Sequence, residues 1–93
     1  MRTIDRSCAF KRDYKRESKK QRHTPLDNLL KPILHALAVN QPLDVRHRDH
    51  ALSGDWSGYR ECHITPDLLL IYRRSDSETL KLARLGSHSQ LFS

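Results

Sequence analysis

The pattern that most restricts this chain is one apolar stripe. Leu26, Leu29, Leu30, Ile33, Leu34 and Leu37 fall at offsets 0, 3, 4, 7, 8 and 11, the spacing of one helix face. Such a face has to be laid against something, and a sheet is the natural partner. Further on, Leu68 to Arg73 (LLLIYR) is apolar on both faces, as a central strand is. Trp56 to Ile64 reads as the strand before it, interrupted at Gly58, and Glu78 to Leu85 as the strand after it. Thr65-Pro66-Asp67 and Arg74 to Ser77 are the turns, so the three strands form an antiparallel meander. Arg2 to Arg6 reads as a short first strand. Helices followed by a meander predict an α+β domain with two N-terminal helices packed on a small antiparallel sheet.

A chain of 93 residues has room for one domain, residues 1–93, with a small core. Ser7 is placed to cap a helix from Cys8 to about Gln21, where Phe10 and Tyr14 share one face. Thr24 reads as the N-cap of the leucine helix, with Pro25 in its first turn. Pro32 lies inside that helix and predicts a kink, with the helix continuing to about Val39. Leu43 to Gly54 reads as a charged, irregular loop, long enough to suggest function.

Charge is unevenly spread. Residues 1–22 hold nine Lys/Arg against three Asp/Glu, and the remainder is balanced, so the first quarter carries the whole net +6. Lys11, Arg12, Lys15, Arg16 and Lys19 therefore form a surface suited to a polyanion, an anionic membrane or an acidic protein partner, or else a plain solvated helix face. Cys8 and Cys62 form no C-x-x-C pair, and no signal-peptide pattern or long apolar run accompanies them. The expectation is a cytoplasmic protein with two free thiols.

The residues with chemistry lie in two stretches. His50 to Asp67 (HALSGDWSGYRECHITPD) contains His50, Arg60, His63, Asp67 and the single tryptophan, and Arg84 to Phe92 (RLGSHSQLF) adds Arg84, His88 and Phe92. The meander can bring His50, His63, Asp67 and His88 toward one end of the sheet. Histidine exchanges protons near neutral pH, an arginine can hold a phosphate oxygen, and an aromatic ring can stack on a base. Together these groups suit metal-free RNA cleavage by attack of a 2′-hydroxyl on the adjacent phosphate. Each also has an ordinary reading as a surface or turn residue, and His23, His35 and His47 read as surface histidines without function. Spacing alone leaves both readings open.

The stretch DHALSGDWSGYRECHITPDLLLIYR followed by LARLGSHSQLF resembles the YafQ-type toxins of the RelE/ParE superfamily. Their pattern is roughly D-H-x-L-x-G-x-W-x-G-x-R-[ED]-x-H-[IV]-x-P-D, an apolar strand, then R-x-G-[ST]-H-x-x-L-F. The match is strong over residues 49–92 and only general before that. The resemblance implies a small twisted antiparallel sheet with two helices on it. It also implies ribosome-dependent, metal-independent cleavage of mRNA without a cofactor. The implied catalytic set is His50, His63, Asp67 and His88, with Arg84, Phe92 and Arg60 as RNA contacts. The implied partners are the ribosome, its mRNA and a DinJ-like ribbon-helix-helix antitoxin, through which alone the toxin meets operator DNA; no membrane is involved. One departure is Leu68, where some relatives carry tryptophan, so no codon preference is carried over. Two rival readings remain: a non-catalytic binding module of the same fold, as in ParE-like gyrase inhibitors, and a zinc site built from His47, His50, His63 and Asp67.

Overall fold

A computed structural model describes residues 1–20 and 24–92. The elements run β1 (Thr3–Arg6), α1 (Cys8–Ser18), α2 (Leu26–Ala38), β2 (His50–Ala51), β3 (Arg60–Thr65), β4 (Leu68–Arg74), β5 (Thr79–Gly86) and α3 (His88–Phe92). One sheet has the order β1-β5-β4-β3-β2. The meander β3-β4-β5 is antiparallel, as the sequence predicts, but β1 pairs with β5 in parallel. The sheet is therefore mostly, not wholly, antiparallel. The long connection through α1 and α2 returns the chain to the far side, and that geometry permits a parallel partner.

Several boundaries differ from expectation. Trp56 belongs to a short 3-10 turn, Gly54–Trp56, and the strand begins only at Arg60. Gly58, at φ 91°, supplies the left-handed turn between them. The expected loop contains a second 3-10 turn at Val45–His47 and the two-residue β2. Pro25, not Thr24, occupies the N-cap of α2, with no side-chain cap. The helix continues through Pro32, which is exposed. The carbonyl that loses its partner there faces water, so the helix tolerates the proline. Ser7 does cap α1, its Oγ accepting from the Phe10 amide at 3.0 Å. The expected end of that helix at Gln21, together with Arg22 and His23, lies outside the described residues.

The sheet has two unlike faces. On one, Cys62, Leu70, Tyr72, Leu80, Leu82 and Leu85 are fully buried beneath Phe10 of α1 and Leu26, Leu30, Ile33 and Leu37 of α2. This is the main core, and it answers the leucine stripe. On the other, Leu69, Ile71 and Ala83 pack with Leu91 of α3, while Leu52, Trp56, Tyr59 and Phe92 cover them partly. The unpredicted α3 exists because Leu91 needs this second cluster. It is five residues long and tertiary contact, not propensity, holds it.

Two irregularities aim side chains. The register slips at Ile64 in β3 and at Ala83 in β5. After the second, Arg84 stands opposite Ile71 and Leu85 opposite Leu70. The bulge thus turns Arg84 away from the main core, where simple alternation from Leu82 would have pointed it.

Beyond β1, the open edge of β5 is closed by α1 side chains. The Ser7 amide donates to the Leu82 carbonyl and Ser7 Oγ to the Ala83 carbonyl. Asp13 accepts from the Leu85 amide at 3.0 Å, and Arg16 donates to the Leu85 carbonyl at 3.0 Å. One helix face thereby does what another strand would do for an exposed edge.

Candidate active site

Sheet register sets the site. One cross-strand row reads His50, Glu61, Ile71, Arg84, and the next reads His63, Leu69, Gly86. Residues directly opposite share a face, so His50, Glu61, His63 and Arg84 stand on the thinly covered face. Asp67 lies in the two-residue turn two positions before Leu69, and His88 lies two positions after Gly86. β3 and β5 are two strand spacings apart, about 10 Å. The sheet therefore sets His50 and His63 on one face over a floor of Leu69, Ile71 and Leu91, and places Asp67 and His88 in the segments flanking the His63 row.

Glu61 is the residue that sequence reasoning left without a role. It is buried, and its two oxygens face different histidines: Oε1 lies 3.4 Å from His63 Nε2 and Oε2 lies 3.9 Å from His50 Nε2. A buried carboxylate is costly unless groups able to carry positive charge surround it; here two imidazoles do. The other nitrogen of His50, Nδ1, lies 2.6 Å from the Arg48 carbonyl. His47, expected to be a plain surface residue, places Nδ1 2.6 Å from the His63 carbonyl and so pins the loop to β3.

Arg84 is firmly held. Its Nε donates to Asp13 Oδ2 at 2.7 Å and its Nη2 to Asp13 Oδ1 at 3.3 Å. Nη1 makes no hydrogen bond among the described residues. Asp13 is buried, which raises its carboxyl pKa, but hydrogen bonds from Arg84 and the Leu85 amide, with the nearby Arg84 charge and Arg16, bring the net value below the usual 3.8. It stays ionised and keeps the guanidinium in place. The rings of His88 and Phe92 pack at a tilt of 40° with centroids 5.0 Å apart. Trp56 meets Tyr59 edge-on at 5.3 Å, and the Arg73 guanidinium lies 5.7 Å over the Tyr59 ring. The far rim is therefore aromatic and cationic.

Two expected RNA contacts are placed differently. Arg60 lies on the main-core face, opposite Tyr72, and its Nε donates to Asp49 at 3.2 Å. It does not join the histidines. Arg16 turns inward to Asp13, Glu17 and the Leu85 carbonyl. Lys11, Arg12, Lys15 and Lys19 are exposed on the outer side of α1 as predicted. Among the described residues, no three His, Cys, Asp or Glu side chains are grouped as candidate metal ligands. A groove of about 580 Å³ opens on the opposite side of the molecule, between Ile4, Phe10, Tyr14, Leu30 and Leu34. It contains none of the candidate catalytic residues.

The family model described as the bacterial toxin of type II toxin–antitoxin system, YafQ, matches residues 2–93. The chain belongs to the YafQ toxin family. The Escherichia coli K12 protein named mRNA interferase toxin YafQ is 39% identical over 92 residues, covering 98% of this chain and 96% of that one. Among solved structures, the E. coli DinJ–YafQ complex contains a chain superposing with TM-score 0.84 at 36% identity, with all of both chains covered. A copper-bound Leu-to-Ser mutant toxin from Helicobacter pylori superposes with TM-score 0.90 at 38% identity, covering 99% of this chain and all of that one.

Within the YafQ frame, the missed residues had faint signals. Asp13 and Glu17 extend the Phe10–Tyr14 seam at offsets 0, 3, 4 and 7. Two acids on a buried seam of a basic helix are a sign of internal partners. Glu61 shares its strand face with His63 by simple alternation, but only register shows that His50 stands opposite it.

Proposed function

We propose that this YafQ family toxin is an endoribonuclease that cleaves mRNA on the ribosome, using only protein groups for the chemistry. What supports this reading is the shared sheet face of His50, Glu61, His63 and the anchored Arg84, with Asp67 and His88 in the segments that flank the His63–Leu69–Gly86 row and His88 against the Phe92 ring. A base among the four takes the proton of a 2′-hydroxyl, whose oxygen bonds to phosphorus. The bond to the 5′-oxygen breaks as an acid of the set protonates it, leaving a 2′,3′-cyclic phosphate and a 5′-hydroxyl end. Arg84 Nη1 is placed to neutralise charge on the phosphorane. Phe92, already packed against His88, offers a face to a base.

The basic side of α1 supplies affinity. Lys11, Arg12, Lys15 and Lys19 have room to contact ribosomal RNA phosphates, and such contacts carry no sequence preference. The partner is a DinJ-like antitoxin, in keeping with the E. coli complex, and it joins the toxin to operator DNA. No helix among the described residues is long and apolar enough to cross a membrane.

The test is to map new 5′ ends on mRNA in a purified translating system. Wild-type protein should cut ribosome-bound message and leave free message intact. His88→Ala should lower the rate by about 10²–10⁴, the usual worth of an acid–base group, while the fold is kept. Tight ribosome binding with uncut message would instead identify a binding module. Expression should arrest growth, and a co-expressed antitoxin should relieve it.

A further inference from the structure

The loop before β2 holds its side chains more tightly than its irregular backbone suggests. Asp44 caps the Val45–His47 turn by accepting from the Arg46 amide at 3.0 Å. Arg48 then adopts a left-handed conformation, φ 48° and ψ 44°, which is uncommon for a residue other than glycine, asparagine or aspartate. That turn brings the Arg48 carbonyl back to within 2.6 Å of His50 Nδ1. Next comes Asp49, which accepts from the Tyr72 hydroxyl and from Arg60 Nε. Tyr72 is fully buried. Burial and the adjoining Asp49 carboxylate both raise its pKa, so it remains a donor. Asp49 is thus stapled to the main-core face, and strand alternation sends His50 to the other face, opposite Glu61.

A carbonyl oxygen can only accept a hydrogen bond, so the nitrogen facing it carries the hydrogen. In the neutral ring, His50 then carries its hydrogen on Nδ1 and leaves Nε2 without one. The groups facing that ring are the Arg48 carbonyl on one side and Glu61 Oε2, 3.9 Å from Nε2, on the other. β2 has no strand beyond it, so Nε2 is also open to an incoming RNA. His63 is held in the opposite sense: its Nε2 lies 3.4 Å from Glu61, close enough for the carboxylate to favour Nε2–H, whereas His50 Nε2, at 3.9 Å, lies beyond hydrogen-bond distance. One carboxylate thus faces two histidines whose proton-bearing nitrogens differ.

We infer that the Arg48 carbonyl and the Asp49–Tyr72–Arg60 staple are positioning elements that lock His50 in its Nδ1–H tautomer, making its Nε2 the general base of the site. His50 Nε2 takes the 2′-hydroxyl proton as the new oxygen–phosphorus bond forms, and Glu61 faces the imidazolium that results. The leaving oxygen takes its proton from another member of the set. Asp49 and Arg48 touch no reacting atom; they act through His50. This inference rests on the ribonuclease reading above, and its measurement is chosen to be separable from that reading.

The experiment is a long-range proton–nitrogen correlation spectrum of the full ¹⁵N-labelled chain, above the pH at which its imidazoles are protonated. His50 should show a pyrrole-type Nδ1 and a pyridine-type Nε2, whereas a free histidine favours the reverse. Asp49→Ala should convert His50 to mixed or reversed tautomers, with the Leu70 and Leu82 methyl signals unmoved. Asp49→Asn keeps an acceptor for Tyr72 and should restore the wild-type pattern. Arg48→Pro, whose ring forbids a positive φ, should also lose the lock. In the cleavage assay, Asp49→Ala should lower the single-turnover rate by about tenfold or more without weakening ribosome binding, and Asp49→Asn should recover most of it. A wild-type His50 that is Nε2–H or averaged overturns the inference, as does an Asp49→Ala spectrum identical to wild type. A changed tautomer with an unchanged rate overturns the assignment of the base. If wild-type protein fails to cut mRNA at all, the ribonuclease reading fails, while the tautomer lock stands or falls on its own spectrum.

Discussion

The two faces of the sheet are built on different terms. The face under α1 and α2 is closed by leucines, and its members are inaccessible to water. The opposite face has a floor of Leu69, Ile71 and Ala83, one five-residue helix and three aromatic rings over it, and ionisable groups among them. β4 is the wall between: Leu70 and Tyr72 serve the first face, Leu69 and Ile71 the second. Stability is concentrated on one side and chemistry on the other. A chain this small can keep an open, polar, partly exposed site because the far side of the same strands supplies the packing.

Asp13 crosses that division, and changing it should have the largest effect. It sits on α1 but holds Arg84, Arg16 and the Leu85 amide. Asp13→Ala leaves the Arg84 guanidinium and the Leu85 amide without their partner, while Arg16 keeps Glu17, and should cost about 3–5 kcal/mol in denaturant unfolding. Its acid behaviour follows from the lowered pKa. A carboxylate with a depressed folded value stabilises fully above its ordinary value, and that contribution disappears as pH falls through the folded value. Wild-type stability should therefore drop below about pH 4, and Asp13→Asn should flatten that part of the curve. An unchanged acid slope would assign it to other carboxylates. Next in size is a truncation confined to the main core: Leu70→Ala should cost about 2–5 kcal/mol, whereas His88→Ala, on the exposed side, should stay within about 0.5 kcal/mol. Equal losses would erase the contrast between the faces.

Gly86→Ala probes the seam between α1 and α3. A Cβ at Gly86 would lie 2.8 Å from Gln90 Oε1 and 2.9 Å from Arg16 Nη2. Both are ends of flexible side chains, so the expected cost is only about 1 kcal/mol, with faster amide exchange at Leu91 as α3 loosens. The smallest effect is a difference in reactivity. Cys62 is fully buried, and burial, aided by the Asp49 and Glu61 charges, pushes its thiol up to about 12. Cys8 is exposed. A thiol reagent at neutral pH should label Cys8 alone until the protein unfolds; labelling of both would place Cys62 in a looser core.

The regular parts of this picture were legible in the residues. The leucine stripe, the doubly apolar strand and the alternation of Glu61 with Cys62 set α2, β4 and the faces of β3. The spacing Leu80, Leu82, Leu85 departs from period two and marks the bulge, but alternation alone does not say where Arg84 goes. The parallel pairing of β1 was hidden because a four-residue strand carries too little pattern to choose a direction. α3 was hidden because its stability comes from Leu91 meeting residues far away in sequence. The histidine-bearing motif was visible through its resemblance to a family, yet Glu61 gained meaning only when register placed it across from His50, and Asp49 only through the hydrogen bond it accepts from Tyr72.

The parallel pairing of β1 with β5 has a consequence for synthesis. The Ser7 hydroxyl finds its partner at Ala83, 76 residues later, so the sheet cannot close until almost the whole chain has emerged. At about 5–20 residues per second, a nascent chain spends seconds with its basic first helix made and its β5 still missing. Arg84 and His88 arrive last. A product truncated anywhere before them has neither a closed sheet nor a complete set of candidate catalytic groups. The translating cell therefore meets a closed sheet only once β5 has been read.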